Sequence, residues 1–256
     1  MKKLALFVLL AAPFAIAANA VTYLVSAGFL AGIRKPEQPP DPEPDVRWRD
    51  DVSLGFRAAW GHRLVRPILL MACVHSLFGG IFGALYIYFC IRVVGLSPAL
   101  MGVTIAVGGV GALVGAVCAG WMSKRLGVGP AILGANVLVA AALVLIPLAP
   151  ADPVAGMGFL MVSQFFGDAF GVATLILGSS LRQTVLPGAV LGRVGAAFKA
   201  VAGGLAVVGA LAGGLLGEHL GVRGAIFIAA AGFAVAPFLG FASPLRTLRE
   251  IPVGPG

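Results

Sequence analysis

Few residues in this chain are able to do chemistry, and two short stretches hold most of them. Residues 163–171 read S-Q-F-F-G-D-A-F-G and set one carboxylate, Asp168, near the middle of a long apolar run over residues 153–181. Residues 75–83 read H-S-L-F-G-G-I-F-G. Each stretch carries a polar pair, then Phe-Gly, two residues and Phe-Gly again, and Gly80 stands where Asp168 stands. An ionisable group at bilayer depth is costly and so points to function. Asp168 could bind a proton or a cationic substrate, and His75 could exchange a proton. Ser76, Ser163 and Gln164 could orient a substrate. Each also has a structural reading, as an acid satisfied by a neighbouring helix or a polar group that hydrogen-bonds across helices.

The elements that must position these residues are membrane helices. Hydrophobic residues make up 59% of the 256-residue chain and charged ones 11%, where a soluble domain is about half apolar and about a quarter charged. Mean hydropathy is +1.01. A soluble core of this length could not hide that much apolar surface. The expected class is therefore an all-α, polytopic membrane protein. Seven spans are expected, over residues 4–33, 66–91, 98–122, 129–150, 153–181, 194–217 and 223–243. The net charge of +8 raises nucleic acid as a partner, but the cations sit in short connections between apolar runs, as topology requires. No nucleic-acid partner is expected. Cys73, Cys90 and Cys118 lie in or at the end of apolar runs without metal-ligand spacing, so they read as small core residues. No metal and no cofactor is expected.

The start of the chain has two readings. Met1-Lys2-Lys3, an apolar run and Ala18-Asn19-Ala20 have the layout of a signal peptide. The run continues to Ile33, however, about thirty residues without a charge, which is long enough to span with tilt; a retained span is expected. Residues 36–45 are rich in Pro and acids, the composition of an extended linker. Residues 51–66 read as an amphipathic helix, with Phe56, Trp60 and Leu64 four apart. It lies in the headgroup interface or packs on the bundle, and both readings stay open. Fourteen of the eighteen Lys and Arg fall on one side of the seven-span layout and four on the other. The crowded side, with residues 34–65 and the tail at 244–256, is expected in the cytoplasm of a bacterial inner membrane, and Met1 outside. Lys2 and Lys3 on the sparse side make the start read as an interior of a longer gene.

A second self-similarity is sharper. Six identities link Gly120, Leu126, Gly127, Val128, Ala131 and Ile132 to Gly214, Leu220, Gly221, Val222, Ala225 and Ile226 at one offset of 94 residues. Residues 66–150 thus read as a first three-helix repeat and residues 153–243 as a second, and three spans per copy turn the second over in the membrane. Small residues four apart, Gly111 and Gly115 in one middle helix and Gly209, Gly213 and Gly217 in the other, let helix backbones approach closely.

The chain resembles the C-terminal part, helices six to twelve, of a major facilitator transporter. It is most similar to the drug and siderophore exporter branch that includes macrolide efflux and enterobactin export proteins. Asn19-Ala20-Val21-Thr22-Tyr23-Leu24-Val25-Ser26 followed by Arg34 looks like the end of that family's sixth helix. Gly55-Phe56-Arg57, His62-Arg63 and Arg66-Pro67 look like its central loop entering helix seven; Arg182-Gln183, Pro187 and Leu191-Gly192-Arg193-Val194 look like the connection before helix eleven. Gly120, Lys124, Arg125 and Gly127 are similar to the superfamily's gate motif, G-x-x-x-D-[RK]-x-G, with Lys124 in place of the acid; plain positive-inside charge is the other reading of these cations. The resemblance implies inverted three-plus-three repeats and alternating access around a midplane site. It implies proton-coupled efflux, as an antiporter, of a small amphipathic molecule. The partners implied are the lipid bilayer, that substrate, protons as coupling ion, and an N-terminal half from the same gene or a separate chain. The alternative is a truncated chain without transport of its own, an assembly partner of a separately encoded half. An enzyme is not expected: no G-x-S-x-G, H-E-x-x-H or phosphate loop occurs.

Overall fold

The computed structural model describes residues 2–33 and 48–250, all-α and without strands among them. The Pro-rich linker expected over residues 36–45, the cations Arg34, Lys35 and Arg47, and the end of the tail lie outside the described residues.

Helix α1 (Lys2–Ala31) is a unit by itself. Its 30 residues run unbroken, about 45 Å of helix, ample for a bilayer crossing. The second unit begins with α2 (Trp48–Gly61) and continues through α3 (Val65–Tyr88), α4 (Pro98–Leu126), α5 (Val128–Leu148), α6 (Pro153–Val185), α7 (Gly188–Phe233) and α8 (Val235–Phe241). A π-helical turn, Phe89–Val93, prolongs α3, and a 3-10 turn, Pro244–Thr247, follows α8. Five segments of this unit are long and apolar enough to cross a membrane. The last, Gly188–Phe241, counts 54 residues, about twice what one crossing needs. It breaks at Gly221, so the unit holds six crossings and the chain is a multi-pass membrane protein.

Local chemistry sets these boundaries. Ser97 and Asp152 cap α4 and α6, each followed by Pro at the first helical position. The Asp152 carboxylate accepts from the backbone N–H of Val154 (3.1 Å) and Ala155 (2.8 Å). A proline there costs nothing, because its missing N–H has no intrahelical partner in any case. The two ends that need glycine are Gly127 (φ 91°, ψ 156°) and Gly221 (φ 74°, ψ 157°). Both occupy the conformation that side chains disfavour, and both sit in the Leu-Gly-Val of the sequence copy.

The long helices pack in two matched pairs, α4 on α6 and α3 on the part of α7 before Gly221. At the first crossing, Gly111 and Gly115 of α4 lie on the backbone of Phe165 and Ala169; at the second, Gly209 and Gly213 of α7 lie on Leu77 and Ile81. A Cβ at any of these glycines would press into the facing main chain. Phe165 and Ala169 follow Leu77 and Ile81 by 88 residues, and Gly209 and Gly213 follow Gly111 and Gly115 by 98. The two sets of three helices therefore cross through corresponding residues. Twelve residues separate Gly115 from Gly127 and eight separate Gly213 from Gly221, so α4 is about one turn longer beyond its crossing.

Two apolar clusters fill the bundle. One, near Gly127, gathers Val65, Leu69, Met122, Ile132, Leu181, Val194 and Leu245. The other, toward Gly221, gathers Ile81, Phe89, Met101, Ile146, Leu160, Ile226 and Phe233.

Helix α2 packs on the bundle: Ala59 is fully buried, and Gly55 lies on the carbonyl of Arg193 at the start of α7. The Arg193 Nε donates to Asp51 Oδ1 at 2.8 Å across the same contact. The helix ends at Gly61, short of the expected Arg66, because α3 starts anew at Val65 with Pro67 in its first turn. The tail expected from residue 244 is docked as far as it is described. Leu245 is fully buried, and the carbonyls of Leu248 and Arg249 accept from the N–H groups of Gly129 (2.8 Å) and Val128 (3.2 Å). Those N–H groups open α5 and have no partner inside the helix.

Candidate functional site

Asp168 sits at the α4–α6 crossing, where Gly108 makes its place. A Cβ on Gly108 would overlap the Asp168 carboxylate and stand 3.1 Å from Gln164 Nε2. Asp168 and Gln164, one helical turn apart on α6, thus share the notch that Gly108 leaves. The carboxylate is half-buried and, among the described residues, engages in no hydrogen bond or salt bridge. The corresponding place in the other crossing is plain packing: Gly80 of α3 lies on the backbone carbonyl of Ala206.

Two hollows flank these crossings. The one toward Gly127 has a volume of about 280 Å³ and is bounded by α3, α5, α6 and the start of α7. His75 and Ser76 line it, together with Asn136, Thr174, Ser179 and Arg182. The one toward Gly221 has a volume of about 410 Å³ and is lined mainly by apolar residues, with Tyr86 and Gln164 as its polar side chains. The repeat relates the two: Ser76, Gly171, Thr174 and Leu175 of the first answer to Gln164, Gly83, Tyr86 and Ile87 of the second, each pair 88 residues apart.

The sequence-derived candidates are thus divided. His75 and Ser76 share one hollow, Gln164 lines the other, and Asp168 lies at the crossing. His75 stacks on Phe233 with ring centroids 5.1 Å apart. Ser163 is 1% exposed and lines neither hollow. The gate-like loop leaves Lys124 and Arg125 exposed and folds Gly127 against Arg249. Gly120 meets nothing, and Gly217 faces the end of the Leu85 side chain.

Four residues of the first hollow escaped the sequence reading as site residues. Asn136 was visible in principle, as the only polar side chain in the 21 residues of α5. It is fully buried; its Nδ2 donates to the Ile132 carbonyl at 2.8 Å, and its Oδ1 has no partner. Arg182 was read as a loop charge. Its guanidinium lies over the Phe198 ring at 4.2 Å and donates through Nη2 to Ser179 Oγ at 3.3 Å. Nothing in the local sequence of Thr174 or Ser179 marks them.

At the far end of the bundle, Arg223 follows Gly221 and donates to the Pro147 carbonyl at 2.7 Å. It holds the end of α5 as a cation suits a helix C-terminus.

The family model described as transmembrane secretion effector, of the major facilitator type, matches residues 4–254. The chain belongs to that family and is a membrane transporter by descent. No curated relative matches it in sequence.

Proposed function

We propose that this member of the transmembrane secretion effector family is an exporter of the drug and siderophore type, coupling the exit of a small amphipathic molecule to the entry of protons. One observation carries the reading. The two hollows lie toward opposite ends of the bundle, and the crossing that holds the Asp168 carboxylate lies between them along α6. An ionised carboxylate at bilayer depth is costly, and a proton taken up there removes that cost. In the proposed cycle, Asp168 gains its proton from one side and gives it up to the other as the helices rock at their glycine crossings. Substrate passes between the hollows.

In this reading the Gly127 end lies in the cytoplasm of a bacterial inner membrane, and the exposed Lys124 and Arg125 support that side. The six crossings after α1 form one half of the working transporter. A second half, from the same gene or a separate chain, closes the route on the other side. The chain is a transporter in this reading and not an enzyme.

The test is export of ethidium from proteoliposomes carrying the transporter under an imposed proton gradient. The Asp168→Asn variant should insert and fold as the unsubstituted protein does, yet lose both ethidium movement and the accompanying proton flux. Undiminished coupled movement would remove Asp168 from the mechanism. Movement by this chain alone, with no second half, would overturn the two-half reading.

A further inference from the structure

Six buried side-chain polar atoms have no hydrogen-bond partner among the described residues, and four of them belong to residues that line the 280 Å³ hollow. They are His75 Nε2, Asn136 Oδ1, Thr174 Oγ1 and Arg182 Nε. Unpaired buried polar atoms are rare in native proteins, and each asks for an explanation. Four around one hollow have a common one, an occupant with polar groups of its own. The chemistry of the set says what kind. Arg182 is the one side chain of permanent formal charge in the lining, and no carboxylate lines the hollow to answer it. Asp168 is fourteen residues away on the same helix, about 21 Å along its axis. The guanidinium is oriented by Phe198 and Ser179, which leaves Nε to donate. Thr174 and Ser76 add hydroxyl donors, and Asn136 Oδ1 offers an acceptor. The remaining wall is apolar, with Ile68, Met71, Ile132 and Leu175.

Arg182 and Ser179 also line a third hollow, of about 370 Å³, at the α6–α7 turn beside Leu191 and Gly192. Arg182 therefore stands between the inner hollow and the end of the bundle, where a charged group arriving from that end would meet it.

We infer that the hollow is the binding site for a small amphipathic carboxylic acid. The acid lies with its carboxylate on Arg182 and Thr174, its apolar body against Ile132 and Leu175, and a hydroxyl donating to Asn136 Oδ1. The volume suits a single-ring acid, being near the lower end of small-molecule sites, about 300 Å³. Arginine suits the role through the fixed fork of its donors. The inference rests on the transport reading for the purpose of the site and deepens it by adding a class of acid substrate, held at Arg182, to the cationic dye by which coupled export is tested. The binding it asserts is measured without transport.

The probe is 3-fluoro-4-hydroxybenzoate, followed by fluorine NMR with the purified protein in uncharged detergent. Saturable binding of the acid is expected, weaker by about tenfold or more for the matching amide 3-fluoro-4-hydroxybenzamide, which is about 1.4 kcal/mol. Arg182→Gln should weaken the acid by a similar factor and leave the amide unchanged; Arg182→Lys should restore part of the loss. Asn136→Leu should erase the preference for 3-fluoro-4-hydroxybenzoate over 3-fluorobenzoate. Equal binding of acid and amide overturns the inference, and that comparison needs no variant to fold. Undiminished binding in a folded Arg182→Gln protein also overturns it. Displacement of the acid by added phosphatidylglycerol at equal concentration would assign the hollow to a lipid headgroup and overturn the small-molecule occupant. Saturable binding of the acid by a protein that moves neither ethidium nor protons would sink the transport reading and leave this one standing.

Discussion

The two crossings of the bundle are built on one plan and differ at one pair of residues. Where α3 meets α7, Gly80 lies on the Ala206 carbonyl; where α6 meets α4, Asp168 lies on Gly108. The bulk has changed sides, and with it the chemistry. At Gly80 two main chains touch, and the contact can only be kept or lost. In the second crossing a side chain fills the notch, and a side chain can turn. In the proposed cycle the first crossing serves as frame and the second as working part. Arg182 follows the same division. The residue 88 positions before it is Val94, a buried apolar side chain, so Asp168 and Arg182 both belong to the second copy.

Substitutions at matched positions would break or sharpen this comparison. The largest loss of stability is expected where a methyl group meets main chain. Gly80→Ala, Gly115→Ala and Gly209→Ala should each lower stability by about 1–3 kcal/mol through overpacking, read as a fall in unfolding temperature in detergent. If Gly80→Ala unfolds no earlier than the unsubstituted protein, the α3–α7 crossing is not the rigid one.

Gly108→Ala should behave otherwise. Its methyl meets the end of the Asp168 side chain rather than main chain, and a side chain can give way, so stability should stay within about 1 kcal/mol, helped by the better helix propensity of Ala. Proton-coupled ethidium export should nevertheless fall as far as in Asp168→Asn. Export at the unsubstituted rate would show that the notch does not position the carboxylate. The smallest effect is expected at Gly83 and Gly171, the matched pair with nothing within 4 Å of a Cβ. Ala at either should leave unfolding unchanged or raise stability by about 0.5–1 kcal/mol, equally at the two sites. Unequal effects would mean that the matched hollows differ in shape more than their linings suggest.

The sequence carried the frame well because the frame is periodic and local. Apolar runs of spanning length, Pro after a capping residue and the repeated Leu-Gly-Val each announce themselves over a few neighbouring residues. The Phe-Gly stretches even disclosed the pairing of Asp168 with Gly80. The partner of each was beyond reach: Gly108 and Ala206 lie in other helices, and only packing brings them opposite. Ser163 shows the same gap from the other side. It is polar and adjacent to Gln164, yet one residue along a helix turns a side chain by about 100°, enough to bury Ser163 while Gln164 lines a hollow. The inner hollow draws its polar side chains from α3, α5 and α6, so no window of sequence contains it. Asn136, alone in an apolar helix, was the one available signal.

The docked segment over residues 245–249 has a use of its own. Because the carbonyls of Leu248 and Arg249 hold the N–H groups of Gly129 and Val128, the turn between α4 and α5 and residues 245–249 travel together. A dye placed after Glu250 would then be a remote pointer for that turn, reporting its excursions during turnover without any alteration inside the membrane.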